Sequence, residues 1–461
     1  MGIFAIVLSL AGLMFFAYRG VNVVVLAPLM ALLAVFLSEG GPLLATYTQV
    51  FMQGLGNYVV LFFPIFLLGA IFGKVMGDGG ASLTIADAIT ARLGSERAVL
   101  AVVLACAILT CGGVSLFVVA FAVYPIAAAL FRTAGVSRRL IAAAIALGSF
   151  TFTMTALPGT PSIQNAIPTR FFGTTTFAAP GLGLIASVIM FAGGMLWLAY
   201  RARRLKTAGE GYGEDPGRPA RLEDTTPRPG VALAILPILA VILLNAVFSL
   251  LLFPRLDFSY LAEETYGGID PSTVLGTWSL IAALVIAIAL AFATQWRYLE
   301  KPKETLNEGA FGSLRPIFNT ASEVAYGGVI ASLAAFALIR DSVLAIAPDY
   351  PTISLAVAVN TLAGLTGSSS GGLSIALETL GSTYLERAEA AGISPDLLHR
   401  IATVSSGGLD TLPHSGAVIS LLTITALTHR QSYFDIVMVS LVFPVLAGIV
   451  INVLGLLFGA F

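Results

Sequence analysis

The tract SSGGLDTLPHSG at residues 405–416 places an aspartate and a histidine between flanks that are apolar enough to lie in lipid. Asp410 and His414 stand four residues apart, and each changes charge when it gains or loses a proton. A charged side chain in the middle of a bilayer costs about 2.5–3.5 kcal/mol on insertion scales, so such residues are typical of functional sites. We therefore predict that this pair couples proton binding to substrate binding. Orientation of the substrate without titration is the alternative.

Two further acids, Glu323 and Glu378, also lie in apolar surroundings and are candidates for proton coupling. For Glu378 the alternative is a structural hydrogen bond to the neighbouring turn. His399 and His429 flank apolar stretches, which predicts positions at the membrane interface. The sequence contains no catalytic constellation and no cluster typical of a metal site, so we expect neither an enzyme nor a bound cofactor. Because the candidate coupling residues bind and release protons, we expect H⁺ as the coupling ion, with Na⁺ as the alternative.

Four short segments rich in Gly, Ser, Thr and Pro interrupt the apolar pattern, and we call them the breaks: residues 111–115, 155–161, 367–372 and 410–416. Glycine permits tight turns, and proline frees a carbonyl from the helical ladder. The exposed N-termini of the resulting half-helices offer N–H groups and partial positive charge to a carboxylate. Hydroxyl groups both donate and accept hydrogen bonds, which suits a hydroxy acid.

These breaks supply the candidate substrate-binding residues, although close helix packing is the alternative for any single Ser or Thr. The candidates are Gly112, Gly113, Ser115, Thr155, Pro158, Gly159, Thr160, Ser368, Ser369, Ser370, Gly371, Thr411, His414 and Ser415. No cationic side chain lies within the four breaks. We therefore expect a small hydroxy monocarboxylate rather than a di- or tricarboxylate, unless a bound sodium ion supplies positive charge.

The composition predicts the elements that hold these residues. Of 461 residues, 57% are hydrophobic and 11% are charged, whereas a soluble domain carries roughly 25% charged residues. The chain is therefore predicted to be a polytopic helical membrane protein, with the lipid bilayer as one of its partners. A net charge of −1 argues against nucleic acid as a partner. Cys106 and Cys111, five residues apart in an apolar stretch, are predicted to be packing residues.

The two halves of the chain share five short anchors in the same order, with offsets between 250 and 259 residues. The anchors are PIF at 64–66 and 316–318, ASL at 81–83 and 331–333, GGVS at 112–115 with GGLS at 371–374, AGVS at 134–137 with AGIS at 391–394, and ALPGTP at 156–161 with TLPHSG at 411–416. Five collinear matches indicate an internal duplication. Each unit has five crossings, an odd number, so the second unit is predicted to be inverted in the membrane.

The predicted fold is an all-α polytopic membrane protein with two inverted-topology repeats, about ten spans, two re-entrant hairpins and two broken helices. The first repeat is predicted at residues 1–200, with a hairpin that opens inward at about 97–132 and a broken helix at about 139–170. A linker covers residues 201–229. The second repeat is predicted at 230–461, with a hairpin that opens outward at about 352–390 and a broken helix at about 394–428. Inverted repeats with discontinuous helices are the architecture of secondary transporters.

The basic residues predict the orientation. The linker at 201–229 carries seven Lys and Arg residues, which places it in the cytoplasm under the positive-inside rule. The segment 254–272 has four acids against one arginine and is expected outside. Both the N-terminus and the C-terminus are then predicted to be periplasmic.

The stretches TALPGTPSIQNAIPTRFFGTTTFAAPG (155–181), GLTGSSSGGLSIALE (364–378) and SSGGLDTLPHSGAV (405–418) resemble the gluconate permease (GntP) family, within the broader ion transporter superfamily. This resemblance covers most of the chain. It implies a bacterial inner-membrane symporter for gluconate-like sugar acids or short hydroxy acids such as 3-hydroxybutyrate, usually driven by protons. It also implies a homodimer in which a transport domain moves in an elevator-like way against a scaffold.

Two kinds of alternative stay open. In better-described branches of the superfamily the hairpin tips carry Ser-Asn-Thr and bind sodium, whereas here they read CGGVS and GSSSGG. The missing asparagine favours proton coupling, but a sodium-coupled carboxylate or dicarboxylate transporter remains the alternative. A membrane enzyme and a channel are alternatives of another class, and uphill accumulation of substrate would exclude the channel.

Overall fold

The computed structural model describes residues 2–19, 21–113, 116–213, 227–413 and 415–461, and the regular secondary structure of these ranges is helical. Helices before the linker are α1 Gly2–Tyr18, α2 Val23–Glu39, α3 Leu43–Asp78, α4 Ala81–Leu93, α5 Ala98–Cys111, α6 Leu116–Ala134, α7 Ile141–Ser149, α8 Ile163–Phe172 and α9 Pro180–Thr207. Helices after it are α10 Val231–Arg255, α11 Ser272–Gln295, α12 Pro302–Ser332, α13 Phe336–Leu344, α14 Pro351–Thr366, α15 Ser369–Ala390, α16 Pro395–Ser406, α17 Gly416–Ile424 and α18 His429–Phe458. Single turns such as Phe152–Thr155 are not numbered.

Five of these helices are long and apolar enough to cross a membrane: α3, α9, α10, α11 and α18. A sixth candidate is the pair α12 and α13, which bend by 97° at their junction. The long helices expose large apolar side chains on their outer faces, as Leu184, Val188 and Leu196 do on α9. A face of this kind is stable in lipid, since each helix satisfies its backbone hydrogen bonds internally.

Local signals in the sequence explain where the helices begin and end. Proline occupies the first turn of α9, α14 and α16 at Pro180, Pro351 and Pro395. Its fixed φ angle favours the helix, and its missing N–H is not needed at that position. Gly367 ends α14 in the left-handed conformation, with φ of 65°. Ser368 then caps α15, its hydroxyl accepting a hydrogen bond from the Gly371 N–H at 3.1 Å.

Each half contains one helical hairpin and one interrupted helix. A turn at residues 112–113 follows α5 and leads toward α6, and residues 367–368 join α14 to α15. The first unwound segment, residues 150–162 with a single helical turn at Phe152–Thr155, separates α7 from α8. The second unwound segment, described at residues 407–413 and 415, separates α16 from α17. The helix order is therefore the same in both halves, with α1–α9 followed by α10–α18.

Several contacts between the halves come in exchanged pairs: a helix of the first half packs on a helix of the second, and their counterparts in the other half also pack on each other. Helix α3 lies along α12, and α9 lies along α18. Helix α2 packs on α12 while α11 packs on α3, and α8 packs on α15 while α17 packs on α6. At one end of the α9–α18 pair, Arg201 Nε donates to the buried Asp435 Oδ1 at 2.7 Å. The two halves thus share one interior.

The cysteines lie in this interior without forming a disulfide. Cys106 is fully buried, and a methyl group added at Gly148 would lie 2.5 Å from its Cβ, so α5 and α7 approach closely there. Cys111 is partly buried at the end of α5. Both thiols are free, as expected of packing residues.

Candidate functional site

The hairpin turns and the unwound segments are connected by a series of contacts in space. A methyl group added at Gly113 would lie 3.1 Å from Pro161, so the first hairpin turn rests on the first unwound segment. A methyl group at Gly407 would lie 2.9 Å from Thr155, which places the two unwound segments in contact. Ser369 Oγ donates to Ser406 Oγ at 2.9 Å and ties the second hairpin turn to the end of α16.

These contacts form one connected polar region, which we call the junction: residues 112–113, 150–162, 367–372 and 407–413. Backbone that is not helical at the depth of a membrane is stable only when it is buried in protein or lines a wet cavity. The junction meets the first condition, since most of its side chains are buried. Ser115 and His414, two of the predicted site residues, lie outside the described residues.

The first unwound segment is held by hydrogen bonds to its backbone. Gly159 adopts φ of 76°, which favours glycine, and its N–H donates to the Thr176 carbonyl at 2.9 Å. The Gly159 carbonyl accepts from Asn245 Nδ2 on α10 at 3.3 Å. Pro158 precedes this turn, and neither it nor Pro161 can donate to a helical ladder.

The hydroxyls of this segment donate to nearby carbonyls. Thr155 Oγ1 donates to the Thr151 carbonyl at 3.2 Å, and Thr160 Oγ1 donates to the Leu157 carbonyl at 3.2 Å. Both residues are buried. A hydroxyl that donates keeps lone pairs for accepting, so each can still receive a hydrogen bond from a ligand hydroxyl.

The second hairpin turn carries a buried acid from another helix. Glu323 on α12 is 7% exposed, and a methyl group added at Gly371 would overlap its Oε2 atom. Within the described part of the chain, Oε2 has no hydrogen-bond partner. The carboxyl group lies beside the Ser368 hydroxyl at the first turn of α15, next to the partly buried Ser370. A buried carboxyl with an open acceptor is a candidate for binding a proton.

The second unwound segment contains a second such acid. Asp410 is 6% exposed, and its Oδ1 has no partner among the residues that the structure describes. Ser415 is buried at the start of α17, and its hydroxyl likewise lacks a partner within the described ranges. Thr411 differs, because it exchanges hydrogen bonds with α18: its Oγ1 donates to the Ser440 carbonyl at 3.2 Å and accepts from Ser440 Oγ at 3.0 Å. Its hydroxyl is therefore engaged in packing.

The structure does not bring Glu378 into the junction. Glu378 lies nine residues after the start of α15, which corresponds to about 14 Å along the helix. Its side chain is exposed, and it interacts electrostatically with Arg170 near the end of α8. A hydrogen bond to the hairpin was the predicted alternative role of Glu378, and no local sequence pattern indicates that Arg170 lies on the neighbouring helix.

His399 is fully buried inside the protein, and its position relative to the membrane interface stays a prediction. Its Nδ1 lies 2.7 Å from Thr174 Oγ1, and its Nε2 lies 3.3 Å from Asn165 Oδ1. His429 is partly exposed, with Nε2 3.0 Å from the Pro413 carbonyl. The apolar periodicity around His399 did not reveal that a polar pocket of the other half faces it.

Asn165 on α8 is the centre of a buried hydrogen-bond network. Its Nδ2 donates to the carbonyls of Thr160 at 3.2 Å and Thr176 at 2.9 Å. These two acceptors fix the amide orientation, so Oδ1 must accept, and His399 Nε2 is then the donor. Burial and the nearby Arg400 cation disfavour a second positive charge on the imidazole, and in its neutral form Nδ1 accepts from the Thr174 hydroxyl.

Arg400 on α16 completes this network from the second half of the chain. Its side chain is fully buried. Nη1 donates to the Ala156 carbonyl at 3.1 Å, and Nε and Nη2 donate to the Ala178 carbonyl at 3.0 and 2.7 Å. Nη2 also reaches the Thr176 carbonyl at 3.3 Å. The breaks contain no cationic residue, but the structure places this guanidinium directly on the first unwound segment.

Neither Asn165 nor Arg400 was singled out from the sequence. Arg400 precedes its break by ten residues in the chain, and its long side chain crosses to the other half. The signal available was an arginine within the apolar run LLHRIATV at 397–404. Ionisable residues in such runs are costly and are functional candidates by themselves.

Interrupted helices that meet at a buried polar region, inside a body of apolar helices, define a membrane transport protein. The GntP family permease model matches residues 1–370, and the chain belongs to this family. It is accordingly a multi-pass membrane protein and a secondary transporter, not an enzyme.

Individual relatives agree with this assignment. The chain is 44% identical over 456 residues to the "Uncharacterized transporter YxjC" of Bacillus subtilis (strain 168), covering 96% of each chain. It is 25% identical over 354 residues to an "Uncharacterized transporter" of Haemophilus influenzae, covering 76% of this chain and 74% of that one. The fold is similar to that of the YdaH transporter of Alcanivorax borkumensis, with a TM-score of 0.57, 17% identity and coverage of 92% and 91% of the two chains.

Proposed function

We propose that this permease is a symporter that carries a small hydroxy monocarboxylate together with protons. The substrate is a gluconate-like sugar acid or 3-hydroxybutyrate. The observation that carries this proposal is the junction, which holds hydroxyl groups from both halves, the buried Asp410 and, against its second hairpin turn, the buried Glu323. Each of the two acids has a carboxyl oxygen without a hydrogen-bond partner among the described residues. Hydroxyls suit a hydroxylated ligand, and a buried acid that gains a proton loses the cost of its charge.

Asp410 is the residue that we assign to proton coupling. It lies in the unwound segment that contacts the first half through Gly407 and Thr155. If substrate binds better to the protonated form, the two binding events favour one another, which is the requirement for coupling. His414, Glu323 and Glu378 are further candidates for carrying the proton, with Glu323 supported by its buried position.

Uptake into proteoliposomes tests the proposal. We expect purified protein to accumulate radiolabelled gluconate or 3-hydroxybutyrate when the outside is made more acidic than the lumen, with no requirement for sodium. Accumulation driven by a sodium gradient and indifferent to the pH gradient would instead establish a sodium-coupled carboxylate or dicarboxylate transporter. Equilibration without accumulation under any gradient would indicate a channel.

For the architecture we propose two inverted repeats, α1–α9 and α10–α18, joined by the linker at 201–229. Support comes from the matching helix order and from the exchanged contact pairs between the halves. In this proposal the hairpins and broken helices form a transport domain that moves in an elevator-like way against the other helices. The scaffold would form the interface of a homodimer in the bacterial inner membrane.

The proposed orientation places the linker in the cytoplasm and both termini in the periplasm. In a background with Cys106→Ala and Cys111→Ala, we expect a cysteine at position 215 to react with a membrane-impermeant maleimide only from the cytoplasmic side. A cysteine at Glu264, which is exposed between α10 and α11, should react only from outside. Labelling of intact cells and of inverted vesicles measures this, and the opposite pattern would reverse the orientation.

The hydroxyls at the hairpin turn provide a test of substrate contact. Removing one hydrogen bond costs about 0.5–1.5 kcal/mol, so we expect Ser369→Ala to raise the apparent KM for gluconate or 3-hydroxybutyrate by about three- to tenfold. Thr160→Ala should act in the same direction. Ser342→Ala is the matched control, because that exposed hydroxyl bonds only within α13. An unchanged KM in Ser369→Ala would assign this residue to packing between α15 and α16.

A further inference from the structure

The most unusual charge in the molecule is the Arg400 guanidinium, because it is fully buried and its hydrogen-bond partners are neutral oxygens. Within the described residues, no carboxylate forms an ion pair with it inside 4.0 Å. Asp396, a half-buried acid one turn earlier on α16, interacts with it only at longer range, and the imidazole of the adjacent His399 offers it no negative charge. Buried charges in proteins are normally paired, so this cation calls for a functional reason.

The acceptors of Arg400 belong to the segments that shape the junction. Ala156 lies in the first unwound segment, and Thr176 and Ala178 lie in the loop before α9. Through Asn165 the network continues to the Thr160 carbonyl. Arg400 therefore fixes the backbone between Thr155 and Thr160 from the opposite half of the chain.

A second observation shows that this loop needs to be held. Ala179, next to the Ala178 carbonyl that receives two Arg400 hydrogen bonds, has φ of 41°. This left-handed conformation is uncommon for residues other than glycine and persists where surrounding contacts impose it. The two hydrogen bonds from Nε and Nη2 of Arg400, which we call the Arg400 fork, are contacts of this kind.

We infer that Arg400 is a positioning residue that makes the junction selective for anions: it holds the first unwound segment in place and leaves its positive charge to be balanced by the substrate carboxylate. This inference rests on the proposed function. The guanidinium itself does not contact the substrate, since its donors are occupied by carbonyls. Its charge acts from the protein interior, where Coulomb interactions are stronger than in water.

Charge and shape can be separated by two substitutions at Arg400. Lysine keeps the charge and loses the fork, whereas glutamine loses the charge. In proteoliposomes we expect Arg400→Gln to raise the KM for gluconate and 3-hydroxybutyrate at least about tenfold above that of Arg400→Lys. Arg340→Gln, which removes an exposed arginine on α13, is the control and should leave KM unchanged. Equal KM values for the lysine and glutamine variants would overturn the inference.

A second pair of variants keeps the guanidinium in place. Asn165→Ala and Asn165→Asp both remove the amide donor to Thr160, but only the aspartate places a negative charge against Arg400 Nη1. We expect the aspartate variant to have the higher KM, by about tenfold; an equal or lower KM would contradict the inference. Thermal unfolding of every variant identifies those that fail to fold. A wild-type protein that transports neither carboxylate would refute the proposed function, whereas normal wild-type transport with KM values insensitive to these charges would refute only the role of Arg400.

Discussion

Asp410→Asn should abolish the accumulation of gluconate or 3-hydroxybutyrate while exchange of internal for external substrate continues. The amide has nearly the shape of the carboxyl group but cannot bind and release the coupling proton. A gradient of one pH unit supplies about 1.4 kcal/mol per proton, enough for roughly tenfold accumulation. In the variant the ratio of internal to external substrate should fall to about one.

The measurement is the steady-state ratio in proteoliposomes with an acidic exterior, followed by exchange at equal pH on both sides. Asp341→Asn is the matched control, because Asp341 is an exposed acid that pairs with its neighbour Arg340. Accumulation in Asp410→Asn equal to that of the wild type would remove Asp410 from the coupling mechanism. Loss of both accumulation and exchange would point to a role in binding substrate rather than the proton.

Gly371→Ala is expected to lower the maximal transport rate by about 10- to 100-fold. The added methyl group would overlap Oε2 of Glu323, so the carboxyl group would have to leave its place beside the second hairpin turn. Overpacking of this kind typically costs 1–3 kcal/mol, which is roughly the size of that rate change. Initial rates at saturating substrate, together with thermal unfolding, measure the effect.

A glycine on the same helix as Glu323 provides the control. Gly328 has open space where its Cβ would be, so Gly328→Ala should leave the rate and the unfolding temperature near their wild-type values. In the double variant Gly371→Ala with Glu323→Ala the overlap is absent, and the unfolding temperature should rise above that of Gly371→Ala alone. Additive destabilisation in the double variant would show that the two residues do not interact.

The sequence revealed those parts of the site that have a local signature. Clusters of Gly, Ser and Pro mark the hairpin turns and the unwound segments, since these residues permit turns and disrupt helices in any context. Glu323 and Asp410 stood out because acids are rare in apolar surroundings, and both are buried in the structure. The all-helical class followed from composition, and membership of the GntP family, expected from the motifs, is confirmed by the family match.

The network around Asn165 could not be predicted in the same way. Asn165 is about 235 residues from His399 and Arg400 in the chain, and no local pattern predicts that α8 and α16 are neighbours. The burial of His399 has the same origin, because a residue near the end of an apolar stretch is exposed or buried according to the helices that pack on it. Glu378 shows the converse case, since its exposed side chain and its attraction to Arg170 depend on how α15 lies against α8.

The carbonyls held by Arg400 have a consequence for biosynthesis. Arg400 lies 222 residues after Ala178 in the chain. At 5–20 residues per second, a ribosome needs about 10 to 45 s to synthesise that stretch. During this interval the nascent first half has no guanidinium to donate hydrogen bonds to these carbonyls. We expect chains that stop before Arg400 to be recognised by membrane quality control and degraded.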